Sequence, residues 1–292
     1  MKVLVTGCNG QVGHCLVEQL GQKSITTLAV DRAQLDITDK AFVISVVKNF
    51  QPDVIINAAA HTAVDKAESE SDLSYLINRD GPRYLAQAAA KVGAAMLHIS
   101  TDYVFSGDAL GEYKETDETA PQGVYGASKL AGEHAVQEEC PRHVIMRTAW
   151  VFGEHGNNFV KTMLRLGEQR DELSIVADQL GGPTYAGDIA AALIKIAEKI
   201  VSGEHIDFGV YHFSGLPHVS WFEFADAIFD IAIEKQILTR KPTLSPITTD
   251  KYPTPAKRPV NSKLSTTKIT QNIGISASDW KKALNNLKQY CS

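Results

Sequence analysis

Tyr125 and Lys129 stand four residues apart in Tyr125-Gly-Ala-Ser-Lys129, so on a helix they project from one face. A phenol is a poor acid or base near neutrality, with an unperturbed pKa of ~10. A neighbouring ammonium stabilises the phenolate, so the pair is expected to exchange protons at physiological pH. Upstream lies Ser100-Thr101-Asp102, at the end of a strand beginning near Met96. Thr101 precedes Tyr125 by 24 residues, room for one loop before the helix that carries the phenol. A hydroxyl at that strand end can hydrogen-bond a substrate carbonyl oxygen beside the phenol.

Other elements must place a reagent next to this pair. Lys2-Val-Leu-Val-Thr6 reads as a short buried strand, followed at once by Gly7-Cys8-Asn9-Gly10-Gln11-Val12-Gly13. A helical pattern follows, with Val12, Leu16 and Leu20 on one side. Glycines at such a junction let the backbone turn tightly and approach a pyrophosphate, and the helix start offers it free N–H groups. The spacing is G-x-x-G-x-x-G, a departure from the commoner dinucleotide fingerprint G-x-G-x-x-G. A second strand, Ile25 to Val30, ends in Asp31, whose carboxylate suits adenosine ribose hydroxyls and hence NAD. Arg32 follows and suits a 2′-phosphate, hence NADP, so the choice stays open. A third strand, Val54 to Asn57, runs into Ala58-Ala59-Ala60-His61-Thr62. Small alanines there leave room for a flat cofactor, and serve close helix–sheet packing equally well.

The whole pattern is α/β. Strands are expected at 2–6, 25–31, 53–59, 95–101, 143–151, 172–177 and near 209–213, and helices at 72–92, 123–139, 158–168, 186–200 and 220–236. Alternation of this kind predicts a Rossmann-type doubly wound parallel sheet covered on both faces, with a smaller C-terminal substrate-binding domain. The expected division is a dinucleotide-binding domain over 1–150 with a returning segment at about 184–213, and a substrate-binding domain from 151–183 and 214–292. Prolines between 241 and 262 forbid regular helix there, and a last helix is expected over about 277–290.

At 292 residues and 44% hydrophobic content the chain can build a substantial core. A net charge of −5 gives no electrostatic reason to expect nucleic acid or an anionic membrane as partner. No apolar run approaches the ~18 residues of a membrane helix, and no signal-peptide pattern precedes the first strand. Cys8, Cys15, Cys140 and Cys291 show neither metal-ligand nor disulfide-framework spacing. A cytoplasmic protein is the expectation.

The Gly7/Gly10/Gly13 turn, the Ser/Thr strand end and Tyr-x-x-x-Lys together resemble an extended short-chain dehydrogenase/reductase. Longer stretches narrow the resemblance to the dTDP-4-dehydrorhamnose reductase family. They are Asn57-Ala-Ala-Ala-His-Thr-Ala-Val-Asp-Lys-Ala-Glu68, Ser100-Thr-Asp-Tyr-Val-Phe105 and Val124-Tyr-Gly-Ala-Ser-Lys-Leu-Ala-Gly-Glu133. Arg147-Thr-Ala-Trp150, Asn157-Asn-Phe159, Gln179-Leu-Gly-Gly-Pro-Thr184 and Tyr252-Pro-Thr-Pro-Ala-Lys-Arg-Pro259 carry it on, from residue 1 to 290. The resemblance implies NADPH or NADH as cofactor and dTDP-4-dehydro-β-L-rhamnose as substrate. Hydride would pass to the sugar C4 ketone while Tyr125 protonates its oxygen. Lys129 would hold the nicotinamide ribose and lower the tyrosine pKa, Thr101 would orient the ketone, and Asp102 and Trp150 would contact the sugar. Trp150 also reads as a core aromatic at a strand end. The cofactor side of the site would comprise Gly7, Gly10, Gln11, Val12, Gly13, Asp31, Arg32, Asp36, Ile37, Ala58, Ala60, His61, Thr62 and Ser100 with Tyr125 and Lys129.

Some members of that family dimerise through a magnesium ion held by glutamates. Alignment of the glycine turn and of Pro183-Thr184 puts Cys15 and Gly187 at two of those positions. Neither supplies the hard oxygen that magnesium demands, so no metal site is expected, and the chain is expected to be a monomer or a homodimer. His14, beside the departure, reads as a solvated or packed histidine. Two other functions fit the same motifs: a nucleotide-sugar epimerase or dehydratase, and a non-catalytic reductase-like regulatory subunit.

Overall fold

The computed structural model describes residues 1–291. Strands β1 (Lys2–Thr6), β2 (Thr26–Val30), β3 (Val54–Asn57), β4 (Ala95–Thr101) and β5 (His143–Thr148) are apolar runs that pair in parallel. Between them run α1 (Gln11–Gln22), α2 (Lys40–Phe50), α3 (Val64–Ala67), α4 (Ser71–Tyr75), α5 (Gly81–Val92) and α6 (Val124–Glu139). Further on come β6 (Val151–Phe152), α7 (Phe159–Gln169), β7 (Glu172–Val176), β8 (Leu180–Gly181), β9 (Thr184–Tyr185), α8 (Ala186–Ser202), β10 (Gly209–His212) and α9 (Trp221–Glu234). The central sheet has the order β10-β5-β4-β3-β1-β2. Strand order reverses at β1, between β2 and β3, which makes the crevice beyond their carboxyl ends the place for a ligand.

Alternate residues of the central strands face opposite layers, as the pleat requires. Val3, Val5, Ile56 and Leu97 meet α1 and α8 on one face; Leu4, Ile55, Met96 and Ile145 meet α2 and α5 on the other. This two-layer covering is the doubly wound arrangement expected. A separate core gathers α7, α9 and the segment around Trp280 and Leu284, with Phe152, Phe224 and Phe229 at its centre.

Local structure departs from the sequence expectation, or adds to it, in four places. The single helix expected over 72–92 is interrupted by a π turn, Leu76–Asp80, between α4 and α5. The strand expected to run to 151 stops at Thr148, because Trp150 takes a left-handed backbone (φ 50°) before β6 begins. Within the proline-rich stretch, Thr243–Ile247 pairs with β7 in a two-stranded sheet, an edge that tolerates Pro246. The helix expected over 277–290 is a short helix, Trp280–Leu284, and a 3-10 turn, Leu287–Cys291. Cys8, Cys15 and Cys140 are free thiols, and the side chain of Cys291 lies outside the described residues. No helix of the described residues is long and apolar enough to cross a membrane.

Candidate active site

The glycine turn closes tightly between β1 and α1. Gly7 is left-handed (φ 71°), and a Cβ on it would lie 2.6 Å from the backbone of Ala59. A Cβ on Gly13 would lie 2.1 Å from Gly7 O, so α1 can sit this close only with glycine there. Gly10 caps α1 without a side-chain acceptor, and no acidic residue occupies the first turn, so Gln11 and Val12 begin a helix free to meet an anion. Asp31, at the end of β2, accepts from Ala33 N and Gln34 N through Oδ1 and from Asn9 Nδ2 through Oδ2. Arg32 is exposed, 3.5 Å from Asp36, whose carboxyl is held below the usual range by hydrogen bonds from Thr38. Ile37 buries its side chain against Gly81.

Beyond β3, Ala58 N donates to Thr6 O, and Ala60 lies half-buried where the chain leaves the sheet. Thr62 is exposed. The His61 ring is engaged by Ser74 and lies 3.4 Å from Glu70, while Asn78 holds both its N–H and its carbonyl. Asn78 stands on the π turn and also donates to Ser128 Oγ, so the turn ties this loop to α6. π turns concentrate at functional sites, but nothing in the local sequence marks this one.

Helix α6 presents Tyr125, Lys129 and Glu133 on one face, against the end of β4. The Thr101 hydroxyl lies near enough to Tyr125 to favour its phenolate, and the Tyr125 ring meets Tyr103 edge-on at 5.5 Å. Thr101 Oγ1 also donates to Asp102 Oδ1 at 3.0 Å. Asp102 is 4% exposed, and its Oδ2 is buried with no hydrogen-bond partner. Burial pushes its carboxyl up to about 6, against hydrogen bonds from Ser262 and Thr101 that favour the anion. These three residues meet where β4 ends, as their spacing suggested.

One expectation about charge is corrected. Tyr125 is pushed up to about 12 by burial, with the Thr101 hydrogen bond lowering it and the Asp102 charge raising it again. Lys129 does not supply the expected lowering: its ammonium side donates to Ile99 O at 2.7 Å and faces His98 Nε2 at 3.4 Å. Burial brings Lys129 itself down to about 8, with the Glu133 charge opposing. Ser100 donates its hydroxyl to Glu133 Oε1 at 2.5 Å, so its side chain is tied to α6.

Several residues of this region went unnoticed in sequence. Glu133 and Arg147 form a buried pair behind Ser100, and Asn57 and His98 form a polar row under Lys129. The available signal was polarity out of place: Asn57, His98 and Arg147 each interrupt an otherwise apolar strand. Trp221 is another. Its ring stacks on Trp150 with centroids 3.5 Å apart, and a Cβ on Gly181 would strike Trp150 at 2.5 Å. Trp150 is therefore half-buried in a stack, in a backbone conformation costly for a non-glycine residue, a strain that clusters at functional sites.

At the positions aligned with the magnesium glutamates, a Cβ on Gly187 would lie 2.3 Å from the Tyr185 ring, which donates through its hydroxyl to Glu154 at 2.6 Å. Cys15 is buried, its thiol pushed up to about 12 by burial and then by Glu154. His14 stacks on His155 at 4.4 Å. Among the described residues no group of three or more His, Cys, Asp or Glu is placed to hold a metal ion.

The chain is 53% identical over 290 residues to a dTDP-4-dehydrorhamnose reductase of Aggregatibacter actinomycetemcomitans, covering 99% of each. Among solved structures it matches a dTDP-4-dehydrorhamnose reductase of Clostridium acetobutylicum with TM-score 0.91 and 42% identity, over 98% of both chains. It also matches the Bacillus anthracis dTDP-4-dehydrorhamnose reductase in complex with NADP, with TM-score 0.90 and 41% identity, over 98% of this chain and 97% of that one. A family model described as the RmlD substrate binding domain matches residues 1–291, and the chain belongs to that family.

Proposed function

We propose that this chain reduces the C4 ketone of dTDP-4-dehydro-β-L-rhamnose to the alcohol of dTDP-L-rhamnose, using NADPH or NADH. The observation that carries this reading is the meeting of Tyr125, Thr101 and Asp102 at the end of β4, beside the start of α1 that no side chain caps. The glycine cradle and the bare helix start fit a pyrophosphate, and Asp31 and Arg32 stand at the neighbouring strand end to meet the adenosine ribose. Gln11, Val12, Ala58, Ala60 and the His61–Thr62 backbone would complete the hold, with Lys129 on the nicotinamide ribose. When bound, the nicotinamide supplies the hydride.

The chain's own residues handle the proton and the position. Tyr125 keeps its proton at neutral pH because burial disfavours the phenolate, so it is a donor ready for the ketone oxygen. Thr101 fixes the phenol and orients the ketone. Asp102, with one buried oxygen unpartnered, accepts from a sugar hydroxyl. Trp150, backed by Trp221, offers a flat apolar wall to the sugar ring. On this reading residues 1–150 and about 184–213 serve the cofactor, and 151–183 with 214–292 serve the nucleotide sugar. We place the reaction in the cytoplasm, carried out by a monomer or by a dimer without a metal bridge.

Purified protein mixed with NADPH and the keto-sugar should oxidise one cofactor per sugar reduced. An epimerase or dehydratase keeps its nicotinamide through the cycle, and a regulatory subunit turns over nothing. Absence of stoichiometric oxidation with either cofactor would sink the reading.

A further inference from the structure

Thr6, Asn57 and His98 are register partners on β1, β3 and β4, so they form one polar row across an otherwise apolar sheet. Their exposures are 1%, 0% and 0%. The direction of every hydrogen bond in the row can be read. Ala59 N–H is an obligate donor and lies 3.0 Å from Asn57 Oδ1, which also accepts from Thr6 Oγ1 at 2.7 Å. The other amide atom, Asn57 Nδ2, is therefore the donor that meets His98 Nδ1 at 3.0 Å. A ring nitrogen that accepts carries no proton. Buried His98 stays neutral, since burial and then the Lys129 charge hold its pKa well below the usual value, so its single proton sits on Nε2. Nε2 is the atom that faces Lys129 Nζ at 3.4 Å.

We propose that His98 is a positioning residue for Lys129, presenting an N–H donor to Nζ and so favouring the neutral amine over the ammonium. An ammonium has three donors and no acceptor, so it gains nothing from a second donor, whereas a neutral amine accepts from Nε2–H and still donates to Ile99 O. The other charges around Lys129 are already committed. Arg147 of β5 is taken up by Glu133, Arg79 and Asp80 of the π turn by each other, and Asp102 is hydrogen-bonded by Thr101. Glu133, on the same helix, pulls toward the ammonium, and burial adds to the effect of His98. The balance leaves a lysine whose proton is held less tightly than an exposed ammonium's, at about 8. The inference deepens the proposed reading of Lys129 and rests on it for its catalytic meaning, though not for its test.

Heteronuclear NMR of the histidine rings in the intact protein should find His98 protonated at Nε2 and bare at Nδ1. A proton on Nδ1 would overturn the proposal outright, whether or not any variant folds. Lysine side-chain NMR should then show the Lys129 midpoint rise in His98→Phe by roughly half to one pH unit. That is about a three- to tenfold gain in proton affinity, the worth of one net hydrogen bond. His98→Gln, whose amide can donate again, should restore part of the shift. In the reductase assay the alkaline limb of the kcat profile should move up with the midpoint. An unmoved Lys129 midpoint in folded His98→Phe would refute the proposal; a moved midpoint without turnover would refute only the reductase reading.

Discussion

Arg147 clasps Glu133 through two nitrogens, Nη2 at 2.6 Å from Oε2 and Nε at 2.9 Å from Oε1. Their side chains are 5% and 1% exposed. Glu133 lies one turn beyond Lys129 on α6, and Arg147 is the register partner of Ser100 on β5. The pair thus bolts the helix that carries Tyr125 to β5, beside the end of β4 that carries Thr101. Two strand residues rise by about 6.6 Å and four helical residues by about 6 Å, so His98 and Ser100 of β4 step in time with Lys129 and Glu133.

Removing one member of such a pair leaves a buried charge uncompensated, at a cost of ~3–5 kcal/mol. Glu133→Gln should therefore lower the urea midpoint sharply, and Glu133→Leu with Arg147→Met should recover most of the loss. Equal stabilities of parent and Glu133→Gln would mean the pair does not bind α6 to the sheet.

Tyr125→Phe deletes the proposed proton donor and keeps the ring that packs on Tyr103. Positioned acid–base groups contribute ~10²–10⁴ in rate, so kcat should fall by that factor with cofactor affinity little changed. Turnover within a few-fold of the parent would remove Tyr125 from the mechanism.

Asp102 should make stability depend on pH. Its carboxyl titrates at about 6 in the folded protein, against ~3.9 in an unfolded chain. A raised folded value means the native state holds the proton more tightly. The resulting stability is present below pH ~4 and lost as pH rises through about 6. Asp102→Asn carries no such dependence, so its stability relative to the parent should climb across that window by at most roughly 3 kcal/mol. Urea denaturation of both proteins across the window measures this, and parallel curves would contradict it.

Chelation should have no effect. Cys15 and Gly187 offer no hard oxygen, and Tyr185 fills the space a larger side chain at 187 would need. EDTA should change neither activity nor the mass measured by light scattering. A loss restored by added magnesium would point to ligands contributed from elsewhere.

Strands and helices were legible in the sequence wherever one residue's role depends on its near neighbours. The apolar runs of β1, β3, β4 and β5, the glycine spacing before α1 and the four-residue step from Tyr125 to Lys129 are all local periodicities, and the sheet merely completes them. Tertiary structure alone decided what lies between distant segments. Thr6, Asn57 and His98 are 51 and 41 residues apart, and only the strand order puts them side by side. The same holds for Glu133 with Arg147 and for Trp150 with Trp221. Proton affinities belong to this second class too. Whether Lys129 lowers Tyr125, or is itself lowered by burial, depends on desolvation and on the direction of each hydrogen bond, and packing sets both.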